Sequence, residues 1–172
     1  AMSLNKKGCF IAEDNKIIGY IFTRKWGNVA WIGTFGVDPD YREKGIGRLL
    51  FNKAINYLEN EDCSIIGLET MSDSSYNIGF YYKLGFKLIY PTLTLTKSKD
   101  QIKKKRKIRI NKNIKLDKIS YLSNEVLKGL DYKKDAKNAK ELNWGEVLFF
   151  NNFDEIYGFS ILRTNSKYNS SK

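Results

Sequence analysis

The sequence predicts an α+β domain. Three strand-like runs follow one another before any helical pattern appears, and at Gly45 the apolar period switches from two to 3.6. A chain of 172 residues with 42% hydrophobic side chains is also long and apolar enough to bury a core in one domain, or one and a half, without covalent or metal staples.

The elements follow in order. CFIAED (9–14) and KIIGYIFTRK (16–25) read as a hairpin with a polar turn at Asp14–Asn15. NVAWIGTFGV (28–37) is a third apolar, β-branched and aromatic run, ended at Asp38–Pro39 because proline cannot continue a central ladder. Ile46, Leu49, Leu50, Ala54, Tyr57 and Leu58 recur at helical spacing and predict a helix that stops near Asn60. CSIIGLET (63–70) predicts a short strand, SSYNIGFYYKLG (74–85) a helix ending at Gly85, and FKLIYPTLTLT (86–96) another extended segment.

Composition excludes several classes. No window approaches the roughly 18 apolar residues of a membrane span, and AMSLNKKG has no apolar signal core, so a soluble cytoplasmic protein is expected. Ala1 before Met2 reads as a tag remnant. Cys9 and Cys63 are far apart and the chain has no histidine, so both read as reduced thiols and no metal site is expected. The net charge of +11 is uneven: residues 1–96 carry eleven Lys/Arg against ten Asp/Glu, and residues 97–172 nineteen against nine. KKKRK, Lys103 to Lys107, reads as part of a solvated basic linker (97–107). Nucleic acid is not the expected partner, because no aromatic residues interleave the charges.

The stretch GVDPDYREKGIGRLL, Gly36 to Leu50, lies between the third strand and the first helix. First-turn amides have no intrahelical partners and sit at the positive end of the helix dipole, which makes them an anion seat. Gly45 and Gly47 remove side chains where a pyrophosphate would approach the backbone, and Arg42, Lys44 and Arg48 supply positive charge. Glycines before a helix also serve as ordinary turn residues, so the loop alone leaves both readings open.

With these residues in view, the chain resembles the GNAT superfamily of acyl-CoA-dependent N-acyltransferases. The family motif Gln/Arg-x-x-Gly-x-Gly/Ala is matched by Arg42-Glu43-Lys44-Gly45-Ile46-Gly47, and its approach by Val37-Asp38-Pro39-Asp40-Tyr41. A second signature, aromatic-Tyr-x-Lys-x-Gly-Phe, is matched by Phe80-Tyr81-Tyr82-Lys83-Leu84-Gly85-Phe86. The resemblance covers residues 8 to about 96. It implies a mixed, mostly antiparallel sheet flanked by helices and acetyl-CoA as cosubstrate, with no metal. It also implies a strand bulge that frees the backbone of Phe35, Gly36 and Val37 for the pantetheine arm, and a pyrophosphate loop from Arg42 through Glu43, Lys44, Gly45, Ile46 and Gly47 to Arg48.

The resemblance makes Tyr81 the acid that protonates the departing thiolate. It puts Asn77, one turn earlier on the same face, on the cofactor, and gives Ser74 the place of a customary asparagine. Glu69 falls where some members hold an acid near the acceptor amine, and burial there would make it a useful base. The implied activity is N-acetylation of a primary amine on a small molecule, peptide or protein. The alternative is a non-catalytic acyl-CoA-binding or regulatory module whose basic segment binds a partner, nucleic acid or an acidic surface.

One departure concerns the beginning of the fold. The family domain starts with a strand and one or two helices, whereas residues 1–96 enter at what would be the second strand. FIAEDNKIIGYIFTR (10–24) aligns without gaps on FFNNFDEIYGFSILR (149–163), preceded by a strand-like RKIRINK and a helical LDKISYLSNEVLKGLDY. Residues 108–172 therefore read as the front half of a second, degenerate copy that stops before any phosphate loop. Its docking is open between the same chain and a homodimer, and the tail NSKYNSSK reads as disordered.

Overall fold

A computed structural model of the chain describes residues 6–92, 109–152 and 155–163. The chain divides into two compact units, residues 1–94 and 95–172.

The first unit opens with β1 (Cys9–Asp14) and β2 (Lys16–Trp26), antiparallel and joined through Asn15 at φ +55°, a left-handed conformation that asparagine tolerates. A turn at Gly27 leads to β3 (Val29–Val37), antiparallel to β2. A single helical turn at Pro39–Tyr41 precedes α1 (Ile46–Asn60). β4 (Ile65–Leu68) then pairs parallel with β3, and α2 (Ser75–Lys83) follows. The sheet order is β1-β2-β3-β4, mixed and mostly antiparallel.

The core is one face of this sheet against one stripe of α1. Leu50, Phe51, Ala54 and Leu58 recur at helical spacing and meet Ile21, Ala30 and Ile32 from β2 and β3. Thr23, the buried polar residue of this sheet face, donates its hydroxyl to the Gly8 carbonyl at 2.9 Å, so its burial leaves no orphaned group.

The extended segment expected at 86–96 is not a strand in its described part. Residues 86–92 carry no ladder, and Leu88, Ile89 and Tyr90 are 89%, 69% and 84% exposed. A strand needs a partner, and among the described residues β4 pairs with β3 alone. Residues 93–96 lie outside the described residues.

The second unit comprises β5 (Arg109–Asn111), α3 (Asp117–Val126), α4 (Lys133–Glu141), β6 (Gly145–Asn152) and β7 (Glu155–Arg163) in an antiparallel sheet ordered β5-β6-β7. Ile119, Ala136, Val147 and Phe149 form its buried centre. The helix expected over 116–132 stops at Val126, because Leu127 turns extended and Gly129, at φ +87°, has its amide held by Asn124 Oδ1 at 2.9 Å. α4 escaped the sequence pattern because Ala136 and Ala139 are its only buried residues and the rest of it is polar. The basic run Lys103–Lys107 and the C-terminal tail lie outside the described residues.

The two hairpins that align in sequence share a backbone feature. In the first unit Ala12 pairs with Gly19 and Glu13 with Ile17, which passes over Ile18; in the second Phe150 pairs with Gly158 and Asn151 with Ile156, which passes over Tyr157. Ile18 and Tyr157 are equivalent positions of the sequence alignment.

Phe51 is fully buried and lies within ring-contact distance of Phe35, Phe80, Tyr81 and Phe86. Phe51→Ala is expected to destabilise the first unit by about 3–5 kcal/mol, read as a lower urea midpoint with an unchanged m-value.

Candidate active site

The site begins where two strands part. β3 and β4 pair from Val29↔Ile65 to Ile32↔Leu68 and no further. On its other edge β3 is bulged: Thr23 pairs with Ile32 but Ile21 with Phe35, so Gly33 and Thr34 together oppose Phe22. Beyond the bulge Phe35, Gly36 and Val37 keep their β2 partners Ile21, Tyr20 and Gly19, while their β4 side has no ladder among the described residues. Backbone groups on that side can pair with an extended ligand. A Cβ on Gly36 would lie 3.0 Å from the Tyr20 ring, so a larger residue there needs that ring to give way.

The chain then turns into the loop. The Asp38 amide donates to the Ile18 carbonyl at 2.8 Å, and Asp38 Oδ1 accepts from the Asp40 amide at 3.0 Å, which fixes the turn through Pro39. Glu43 and Gly45 stand at φ +62° and +82° on either side of Lys44. Leu49 N bonds Gly45 O at 3.1 Å, the first bond of α1, so the amides of Ile46, Gly47 and Arg48 belong to the open first turn. Arg42, Lys44 and Arg48 are exposed, and among the described residues none of them is in an ion pair.

The two glycines serve different ends. A Cβ on Gly45 would meet nothing within 4 Å, so the space over it is open. A Cβ on Gly47 would lie 3.2 Å from Phe35 Cζ and 3.4 Å from Phe80 Cζ. Its missing side chain thus admits two rings, a packing role that the reading of both glycines as ligand clearance did not include.

α2 forms the other wall. Its first turn is capped by Ser74, which stands in the place of a customary asparagine and whose Oγ accepts from the Asn77 amide at 3.4 Å. The Phe80 ring stacks parallel on Phe35 at 6.0 Å, tying α2 to the parted end of β3. Half-buried Asn77 lies one turn before Tyr81 on the same face. Tyr81 is half-buried among Phe51, Phe80 and Phe86, and this burial pushes its phenol above the ordinary value of 10. Its hydroxyl makes no hydrogen bond among the described residues, whereas Tyr82, one residue on, is 73% exposed. Glu69 directly follows β4 and is exposed, so the burial invoked for it as a base is absent. Tyr41, on the approach to the loop, was not singled out by sequence; the signal available was an aromatic residue beside three cations.

A mixed sheet whose parallel pair parts beside a glycine-bounded helix start makes this an α+β architecture with an open first helical turn at the end of β3. The Acetyltransferase (GNAT) family profile matches residues 2–86, and this segment of the chain belongs to that family. An uncharacterized N-acetyltransferase of Methanocaldococcus jannaschii is 36% identical over 93 residues, covering 49% of this chain and 41% of that protein. The ribosomal protein bS18-alanine N-acetyltransferase of Escherichia coli is 29% identical over 76 residues, 44% of this chain and 51% of that protein. Among solved structures, an aminoglycoside N-acetyltransferase in complex with CoA aligns with a TM-score of 0.47 at 20% identity, over 52% of this chain and 75% of that one. The chain spans about half the length of the curated relatives it matches. Among the described residues no helix is long and apolar enough to cross a membrane, and no cluster of His, Cys, Asp and Glu forms a metal site.

The backbone angles of the loop make a stability prediction. Gly45→Ala should cost about 1–2 kcal/mol through its left-handed φ alone, although its methyl group meets open space. Glu43→Gly relieves the same strain and should raise stability by up to about 1 kcal/mol, net of glycine's entropy. Paired urea titrations of the two variants check both signs.

Proposed function

We propose that this chain is an acetyl-CoA-dependent N-acetyltransferase acting on a primary amine. Family membership supports the reading, and one observation carries it to this site: among the described residues the β3 edge has no ladder beyond Ile32↔Leu68, and the loop 38–45 joins that strand end to the open first turn of α1. Acetyl-CoA, the cosubstrate of the family, supplies an acetyl thioester. It fits an extended pairing edge that ends at an anion seat with clear space over Gly45.

In this reading Phe35, Gly36 and Val37 pair with the pantetheine arm. The amides of Ile46, Gly47 and Arg48, with Glu43 and Gly45 shaping the turn and Arg42, Lys44 and Arg48 adding charge, hold the pyrophosphate. Asn77 adds an amide contact. A β3 amide bonds the carbonyl oxygen as negative charge grows there, the acceptor nitrogen forms the new bond to carbon, and Tyr81 gives its proton to the sulfur as the carbon–sulfur bond breaks. The nitrogen's surplus proton leaves to Glu69 or through water to solvent. The raised phenol pKa suits this role, since Tyr81 stays protonated through neutral pH and ionises only above 10. A non-catalytic acyl-CoA-binding module is the second reading, and the absence of a buried base at Glu69 is the observation that favours it.

We also infer that the second unit is a degenerate front half of the same fold. The matched bulges at Ile18 and Tyr157 support this, as does the order strand, two helices, hairpin.

Mass spectrometry for co-purified CoA followed by a thiol-release assay over an amine panel tests the activity; turnover with no amine, despite CoA binding, favours the second reading. Tyr81→Phe should lower kcat by about 100- to 10,000-fold with little change in acetyl-CoA affinity, while Tyr82→Phe stays near wild type. The Tyr81 assignment fails if Tyr81→Phe keeps full turnover under conditions where chemistry limits the rate.

A further inference from the structure

We propose that Tyr41 is a positioning residue for Lys44. The inference rests on the pyrophosphate reading of the loop and assigns one lysine and its holder within it.

Three charged side chains meet Tyr41, and a fourth, Asp38, holds one of them. Its hydroxyl donates to Asp14 Oδ2 at 3.1 Å, which ties the ring to the tip of the β1–β2 hairpin. Lys44 Nζ lies 4.8 Å from the ring centroid and Lys16 Nζ 5.6 Å. Lys16 Nζ is also bonded to Asp38 Oδ2 at 2.9 Å, a pairing that raises the lysine pKa and lowers that of the aspartate.

The two lysines therefore differ in what they can offer a ligand. Asp38 neutralises Lys16, so its charge is spent inside the protein. Lys44 has the ring and, among the described residues, no carboxylate partner. A ring face attracts a cation through its quadrupole, at roughly 0.5–1 kcal/mol for an exposed pair, without cancelling its charge. Arg42 and Arg48 flank Lys44 in sequence, and a long side chain beside like charges otherwise spreads over many rotamers. Tyr41 confines it and Asp14 fixes Tyr41, so Lys44 waits at the loop as an ordered, uncompensated cation, and part of its ordering cost is met before an anion arrives.

Two measurements test this, one with and one without acetyl-CoA. In the protein alone, the ring current of Tyr41 should move the Lys44 ε-methylene proton resonance upfield, and Tyr41→Leu should return it to the ordinary lysine position. In calorimetry, Tyr41→Leu should weaken acetyl-CoA binding about two- to fivefold, with no further loss when added to Lys44→Ala. Tyr41→Phe keeps the ring and should retain most of the affinity and most of the upfield shift. The proposal is overturned if the Lys44 resonance is unshifted in the wild-type protein, or if Tyr41→Leu weakens binding equally in the Lys44→Ala background. A wild-type protein that displays the upfield shift and binds no acetyl-CoA sinks the pyrophosphate reading of the loop, and with it Lys44's role there, while leaving the ring contact itself standing.

Discussion

The candidate site depends on three rings that do the work of a missing ladder. β3 loses β4 after Ile32, so the end of the strand that bears Phe35, Gly36 and Val37 is secured on one edge only. Phe35 meets Phe51 edge-on at 4.8 Å and stacks on Phe80 at 6.0 Å, while Phe51 and Phe80 meet at 5.5 Å. One ring comes from β3, one from α1 and one from α2. Such pairs contribute about 0.5–1.5 kcal/mol each beyond the area they bury. Side-chain packing therefore holds the parted strand in register with both helices and leaves its open edge free. Gly47 belongs to this arrangement, because a Cβ there would lie 3.2 Å from Phe35 Cζ and crowd that ring.

Charge is arranged on the same scale. The first unit is nearly neutral in sequence, so it carries no strong overall field. The loop gathers three cations, Arg42, Lys44 and Arg48, within seven residues of the chain. Lys16 is paired with Asp38, and Lys25 contacts the carboxylate and backbone carbonyl of Glu61, whereas Arg42, Lys44 and Arg48 have no ion-pair partner among the described residues. These three cations lie in the chain beside the open first turn of α1, the positive end of its dipole.

Much of this was legible in the sequence because its signals are local. The hairpin at Asn15, the end of β3 at Pro39 and the span of α1 follow from turn residues and periodicity, and Arg42 to Gly47 and Phe80 to Phe86 are recognisable as strings. The rest was hidden because it depends on long-range partners. FKLIY has the composition of a strand, but composition does not tell whether a neighbour exists to pair with it. Gly47 and Gly45 look alike in a motif, and only the rings behind one and the open space over the other separate their roles. The use of Ser74 as a helix cap was not legible because it depends on where α2 begins. Tyr41 gained its meaning from Asp14, 27 residues earlier in the chain.

Architecture and chemistry meet at Tyr81. The packing that fixes α2 on β3 and α1 also places Tyr81 among Phe51, Phe80 and Phe86, and it is this burial that lifts its phenol pKa. A phenol ionises less readily when its anion is poorly solvated, so the same contacts that immobilise the ring keep its proton in place across the neutral range. Tyr82 illustrates the contrast: one step along the helix turns a side chain about 100°, and its largely exposed ring lacks that desolvation. A phenol that is both ordered and reluctant to ionise follows from where the aromatic residues of three elements converge, with desolvation alone raising its pKa.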